Sequence, residues 1–92
     1  MTIEELKSHV RSVLSASFPF VTIQIERVED DPLDLGVSVF GVEKNAVKWV
    51  KNKILDLDEE LCSNTEFVIT PLVRDRETTR KYYPQFLSPW TA

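Results

Sequence analysis

LGVSVFGVEKNAVKWVKNKILDL, Leu35 to Leu57, is the stretch whose reading decides the fold. Leu35, Val37 and Val39 alternate with Gly36, Ser38 and Phe40, the period of two that places successive side chains on opposite faces of a strand. Gly41 marks the exit from that strand. Val47, Val50, Ile54, Leu57 and Leu61 then recur at intervals of three and four, one continuous apolar stripe of an amphipathic helix. Asn45 or Glu43 is positioned to cap it. A strand followed at once by such a helix predicts a sheet with helices packed on it.

The flanking segments fit that plan. Upstream, Thr2 and Glu5 form the pattern of a capping box, and Ile3, Leu6, Val10, Val13 and Leu14 fall on one helical face. Pro19 closes this helix, because proline disfavours helical backbone at the residue before it. Val21, Ile23 and Ile25 alternate with Thr22, Gln24 and Glu26, a half-buried strand that pairs with the next as a hairpin. The acidic run Glu29 to Asp34, around Pro32, reads as the solvated connecting turn. It lacks the ligand spacing and tight-turn glycine of a calcium loop.

Downstream, Asp56, Asp58, Glu59 and Glu60 oppose the helix dipole, so fraying is expected near Asp58. A third strand is predicted over Thr65 to Val73, with Phe67, Ile69 and Val73 inward and Val68, Thr70 and Leu72 outward. Pro71 cannot donate to a ladder and so favours an edge strand or a strand end. The helical crossover, which makes this strand parallel to the second, also leaves it at an edge. Asp75 is the N-cap expected for a short helix, Arg76 to Tyr83, stopped by Pro84. The segment 74–92 carries Phe86, Leu87 and Trp90 and is richer in aromatics than disordered termini are. It is expected to pack over the outer sheet face of its own chain, or else on a partner.

The expected fold is therefore α+β, a two-layer α/β sandwich of order α-β-β-α-β with a three-stranded sheet and helices on one face. A short C-terminal helix or extended aromatic tail follows. The 92 residues form one domain, with its core over about residues 2–73. The order resembles small KH-type and BON-type domains and the iron–sulfur scaffold domains. The motifs of those families are absent: no GxxG joins two helices and no CxxC precedes the second helix.

Composition narrows the function. The net charge of −4 disfavours a general nucleic-acid binder, which needs a basic surface to neutralise phosphates. The charge is uneven, at −4 over residues 1–42, −2 over 43–70 and +2 over 71–92. One cysteine, Cys62, forms no internal disulfide and fits a reducing compartment. With no signal pattern and no apolar run of membrane-spanning length, a cytoplasmic protein that makes no membrane contact is expected.

No cofactor, metal or catalytic set is expected. His9 lies at the border of the first helix's apolar face with no second ligand type at i+4. Cys62 and His9 carry no flanking sign of a nucleophile and base, so an enzyme is not expected. Lys44, Lys48 and Lys51 form a stripe that reads as the solvated flank of the second helix, with Leu55 among them and Trp49 on the other flank. The function expected is a small intracellular protein-interaction or homodimerisation module. It would use the outer sheet face, the edge strand or the aromatic tail, through Phe40, Val68, Leu72, Arg80, Tyr82, Tyr83, Phe86 and Trp90, with Phe20 adding apolar character to that face. The alternative is a nucleic-acid-binding accessory domain using the basic and aromatic C-terminal segment, with Arg74, Arg76, Arg80 and Lys81 on phosphates.

Overall fold

A computed structural model of the chain describes residues 2–28 and 31–87. Helix α1 (Ile3–Ser17) starts at the expected capping box: the Glu5 N–H donates to Thr2 Oγ1 at 3.2 Å and the Thr2 N–H to Glu5 Oε1 at 3.4 Å. Its apolar face is fully buried at Leu6, Val10 and Leu14. Phe18 ends the helix, its N–H bonded to the Leu14 carbonyl at 2.8 Å, and continues the same stripe into the core.

Strands β1 (Thr22–Val28), β2 (Asp31–Val42) and β3 (Val68–Asp75) form one sheet of order β1-β2-β3. The pair β1/β2 is antiparallel, and β2/β3 is parallel because helix α2 (Val47–Cys62) carries the chain back across the sheet. The central strand is the one whose alternation was clearest. Leu35, Val37 and Val39 are fully buried beneath α1 and α2, in a cluster with Ile23, Ile25, Val50 and Ile54. Both neighbours of β2 are edge strands, and Pro71 sits in one of them as its missing N–H requires. Among the described residues no helix is long and apolar enough to cross a membrane.

Several boundaries differ from expectation, each for a local reason. Strand β2 begins at Asp31, so residues 31–34 belong to it and not to a turn. The register slips between Arg27, opposite Leu35, and Val28, opposite Asp31. The three extra β2 residues are accommodated in that irregularity, and Asp34 is tied across to β3 by the Thr70 hydroxyl at 2.8 Å. Strand β3 starts at Val68 because Thr65 is engaged in the preceding turn, donating to the Cys62 carbonyl and accepting from the Phe67 N–H.

Neither Asn45 nor Glu43 caps α2. The helix is entered through a 3-10 turn, Lys44–Ala46, with Ala46 at the N-cap and no side-chain hydrogen bond. The expected fraying at Asp58 is also absent, and α2 runs to Cys62. Asp58 has another use: its Oδ1 accepts the Ile69 N–H at 2.8 Å, fastening the last turns of α2 to the edge of β3. Replacing Asp58 by Ala leaves that N–H without a partner beside a nearly buried residue. We expect a loss of about 1–2 kcal/mol in urea unfolding, with Asp58→Asn, which keeps an acceptor, losing less.

Helix α3 (Arg76–Tyr82) begins where expected, with the Thr78 N–H donating to Asp75 Oδ1 at 2.7 Å. That backbone donor, then the Thr78 side chain and the nearby Lys44 charge, hold the Asp75 carboxyl below its ordinary value. A carboxyl depressed by folding contributes stability that is present above the unfolded-state value and is lost as pH falls through the folded one. In acid titrations of stability, Asp75→Asn should therefore show a shallower loss below about pH 4 than the parent chain.

Beyond α3, Tyr83 and a 3-10 turn, Pro84–Phe86, reach the face of the sheet opposite α1 and α2. Phe86 stacks on Phe40 with ring centroids 4.4 Å apart and planes inclined by 16°, and Tyr83 meets the same ring at 5.2 Å. The Thr22 hydroxyl donates to the Phe86 carbonyl at 2.5 Å. This part of the aromatic segment packs on its own sheet.

Candidate functional site

The outer sheet face does not gather the residues expected to meet a partner into one surface. Phe40, only 5% exposed, lies beneath Phe86 and Tyr83, and these three form an aromatic stack internal to the chain. Val68 and Leu72 remain exposed on β3, separated by the Thr70–Asp34 hydrogen bond on that row. Tyr82 is exposed with the Lys81 ammonium 5.2 Å from its ring, and Arg80 is exposed on the same helix. Trp90 lies outside the described residues.

The basic character of this segment is also diluted. Arg76 is ion-paired with Glu43, and the groove that holds Lys44, Arg76 and Arg80 holds Glu43, Asp75 and Glu77 beside them. Acids and bases alternate there, so no single-sign track for a phosphate backbone forms.

A different feature stands out at the end of the sheet where β1 starts and β2 finishes. The connection from α1 to β1, Phe18-Pro19-Phe20-Val21, forms one wall of a cleft of about 450 Å³. Gly41, Val42 and Glu43 at the exit of β2 form its floor, Ala46 and Val50 of the α2 entrance the other wall, and Arg76 closes one side. Size and lining match a small-ligand or side-chain pocket, apolar with a few polar groups at its margin.

Each wall follows from local sequence. Gly41 has φ +79°, a left-handed conformation that favours glycine. The kink there shifts the β2/β3 register between Val39 and Val42, so that Val42 turns inward and is 2% exposed. Phe18 is anchored in the core and meets Trp49 edge-on, centroids 5.2 Å apart. Pro19 then sends Phe20 outward, where 65% of it is exposed; Trp49 is 64% exposed. The exposed Phe20 ring thus lines an apolar hollow, and the exposed Trp49 rests on Phe18, another of its lining residues. At its polar side the Arg76 Nε is buried and, among the described residues, has no hydrogen-bond partner.

The chain carries one thiol, and its setting is plain. Cys62 is buried, and desolvation, with the Asp58 carboxylate adding to it, pushes its pKa up, which keeps the group protonated and weakly nucleophilic at neutral pH. Among the described residues no group of three or more His, Cys, Asp and Glu is arranged to hold a metal ion.

The cleft escaped the sequence reading because its parts come from four separate segments. One signal was present: Phe18 extends the Leu6, Val10, Leu14 series by another four residues, which leaves the nearby Phe20 without a place in the core. Comparisons with protein-family models, with curated proteins and with solved structures find no match to this chain.

Proposed function

We propose that this chain is a small protein-interaction module that accepts an apolar side chain of a partner protein in the cleft between the α1–β1 connection and the start of α2. The observation that carries this reading is an apolar hollow whose lining includes a largely exposed aromatic ring, Phe20, while the equally exposed Trp49 packs edge-on against Phe18 of the same lining. Buried aromatics surrounded by a polar rim are the usual energetic centre of a protein interface. Glu43 and Arg76, which both line the cleft, would supply that rim.

The test compares quantitative affinity capture by three forms of the chain: the parent, Phe20→Ser and Ala46→Trp. Phe20→Ser removes a rim aromatic that is mostly in solvent, and Ala46→Trp fills the hollow from a half-buried wall position. Both variants should remain folded by circular dichroism and lose the same captured species, by about ten-fold or more if the ring is a hot spot. Equal capture by all three folded forms would rule the cleft out as the contact surface.

A further inference from the structure

The two edges of the sheet are unequally protected, and the hydrogen bonds show how. In a strand, the N–H and C=O of alternate residues point the same way, toward a neighbour or away from it. On β3 the Ile69 N–H goes to Asp58, away from β2, so residues 69, 71 and 73 point to the free edge. Of their three donors, Ile69's is taken and Pro71 has none, which leaves Val73's. That edge is blunted against strand addition.

On β1 the Arg11 guanidinium donates to the Ile23 carbonyl at 3.2 Å, which shows that residues 23, 25 and 27 point outward there. The same alternation satisfies both ladders of β2. No proline interrupts β1, and the N–H groups of Ile23, Ile25 and Arg27 have no partner among the described residues. Nor have the carbonyls of Ile25 and Arg27.

We propose that the free edge of β1 is a self-association site, at which a second copy of this chain pairs antiparallel about a two-fold axis through Ile25 to give a continuous six-stranded sheet. A two-fold axis normal to the sheet keeps the helix-covered faces on one side. It sets Ile25 opposite its own copy, Ile23 opposite Arg27, and Gln24 opposite Glu26. No like charges face each other in this register, whereas a shift to an axis at Glu26 would set two glutamates together.

The α1 helices favour the same arrangement. The short 18–21 connection returns β1 antiparallel to α1, with Arg11 beside Ile23. One strand residue advances about 3.3 Å and one helix residue about 1.5 Å, so Glu4, seven residues before Arg11, lies near the level of Glu26, within one residue of Arg27. The two-fold axis therefore brings Glu4 of one copy toward Arg11 of the other, twice per dimer. The Ile23 carbonyl has two lone pairs, so it can accept from Arg27 of the second copy while Arg11 remains in place.

The β1 edge shares no lining residue with the cleft, and its pairing is read by a separate measurement. Sedimentation equilibrium of the full chain, from about 10 μM to about 1 mM, should show a monomer–dimer equilibrium, as suits a short interface. Gln24→Lys places opposite charges across the join twice and should tighten association about five-fold, while Gln24→Glu should weaken it about five-fold. Arg27→Pro, which removes an outward donor as Pro71 does on the other edge, should abolish the dimer. If Arg27→Pro does not fold, the opposed effects of the two Gln24 substitutions still decide the matter. A chain that stays monomeric throughout the range overturns the proposal. So does a dimer indifferent to the charge at residue 24.

Discussion

Replacing Phe40 by Ala is expected to lower the stability of the chain by about 3 kcal/mol, the lower end of the range for deleting a buried phenylalanine ring. The side chain is 5% exposed, yet it is not part of the cluster beneath α1 and α2. Its ring lies on the other face of β2, between the strand and the stacked Phe86, with Tyr83 against its flank. Deleting it removes the ring's own burial and the surface on which the segment after α3 rests. Phe86 and Tyr83, on a segment that only rests on the sheet, can settle into part of the space, which is why the lower figure applies. A chain of this length has about 5–14 kcal/mol in hand, so the loss should be visible as a fall in melting temperature of about 12–24 °C. Phe40→Leu should recover about half, since it keeps apolar volume and loses the aromatic contacts. A loss below about 1 kcal/mol for Phe40→Ala, at an unchanged denaturant slope, would mean that the aromatic segment adds little to the fold.

That residue also shows where sequence ceased to be sufficient. Phe40 was assigned correctly to the outer face, because strand alternation is imposed locally by the pleat. Whether the outer face is wet, self-covered or partnered depends on Phe86, 46 positions later, and no local pattern carries that. The same division runs through the fold. The α1 capping box, the core stripe of α2, the edge position of Pro71 and the Asp75 cap were legible, since each is a relation among residues within a few positions. Asp58 and Glu43 were misread for the opposite reason. Their nearest neighbours suggest fraying and capping, while their actual partners, Ile69 and Arg76, arrive from other elements. The cleft required four segments to be placed together before it existed at all, and the edge asymmetry required knowing which way the backbone of each outer strand points.

Thr79 is the sharpest case, and Thr79→Val should cost about 2–3 kcal/mol although it changes neither volume nor helix propensity appreciably. By sequence it is one polar residue in a short polar helix. In the fold it is fully buried, and its hydroxyl both donates to the Asp75 carbonyl at 2.6 Å and accepts the Gly41 N–H at 2.9 Å. The second bond matters more. Gly41 is the kink of β2, and its backbone donor, turned out of the β2/β3 ladder by the register shift, has Thr79 as its partner. Valine would leave that buried donor unpaired, and the penalty is for desolvation without compensation, which exceeds the worth of an ordinary exposed hydrogen bond. Serine should restore both bonds and lose only a methyl group, about 1 kcal/mol. The order parent, Thr79→Ser, Thr79→Val therefore separates the hydroxyl's contribution from packing. Amide exchange at Gly41 gives the local readout: it should accelerate in Thr79→Val by more than the global loss of stability explains, because the kink would open without the rest of the sheet. Since Gly41 and Val42 form the floor of the cleft, the same substitution should blunt capture of a partner there while leaving the β1 edge intact.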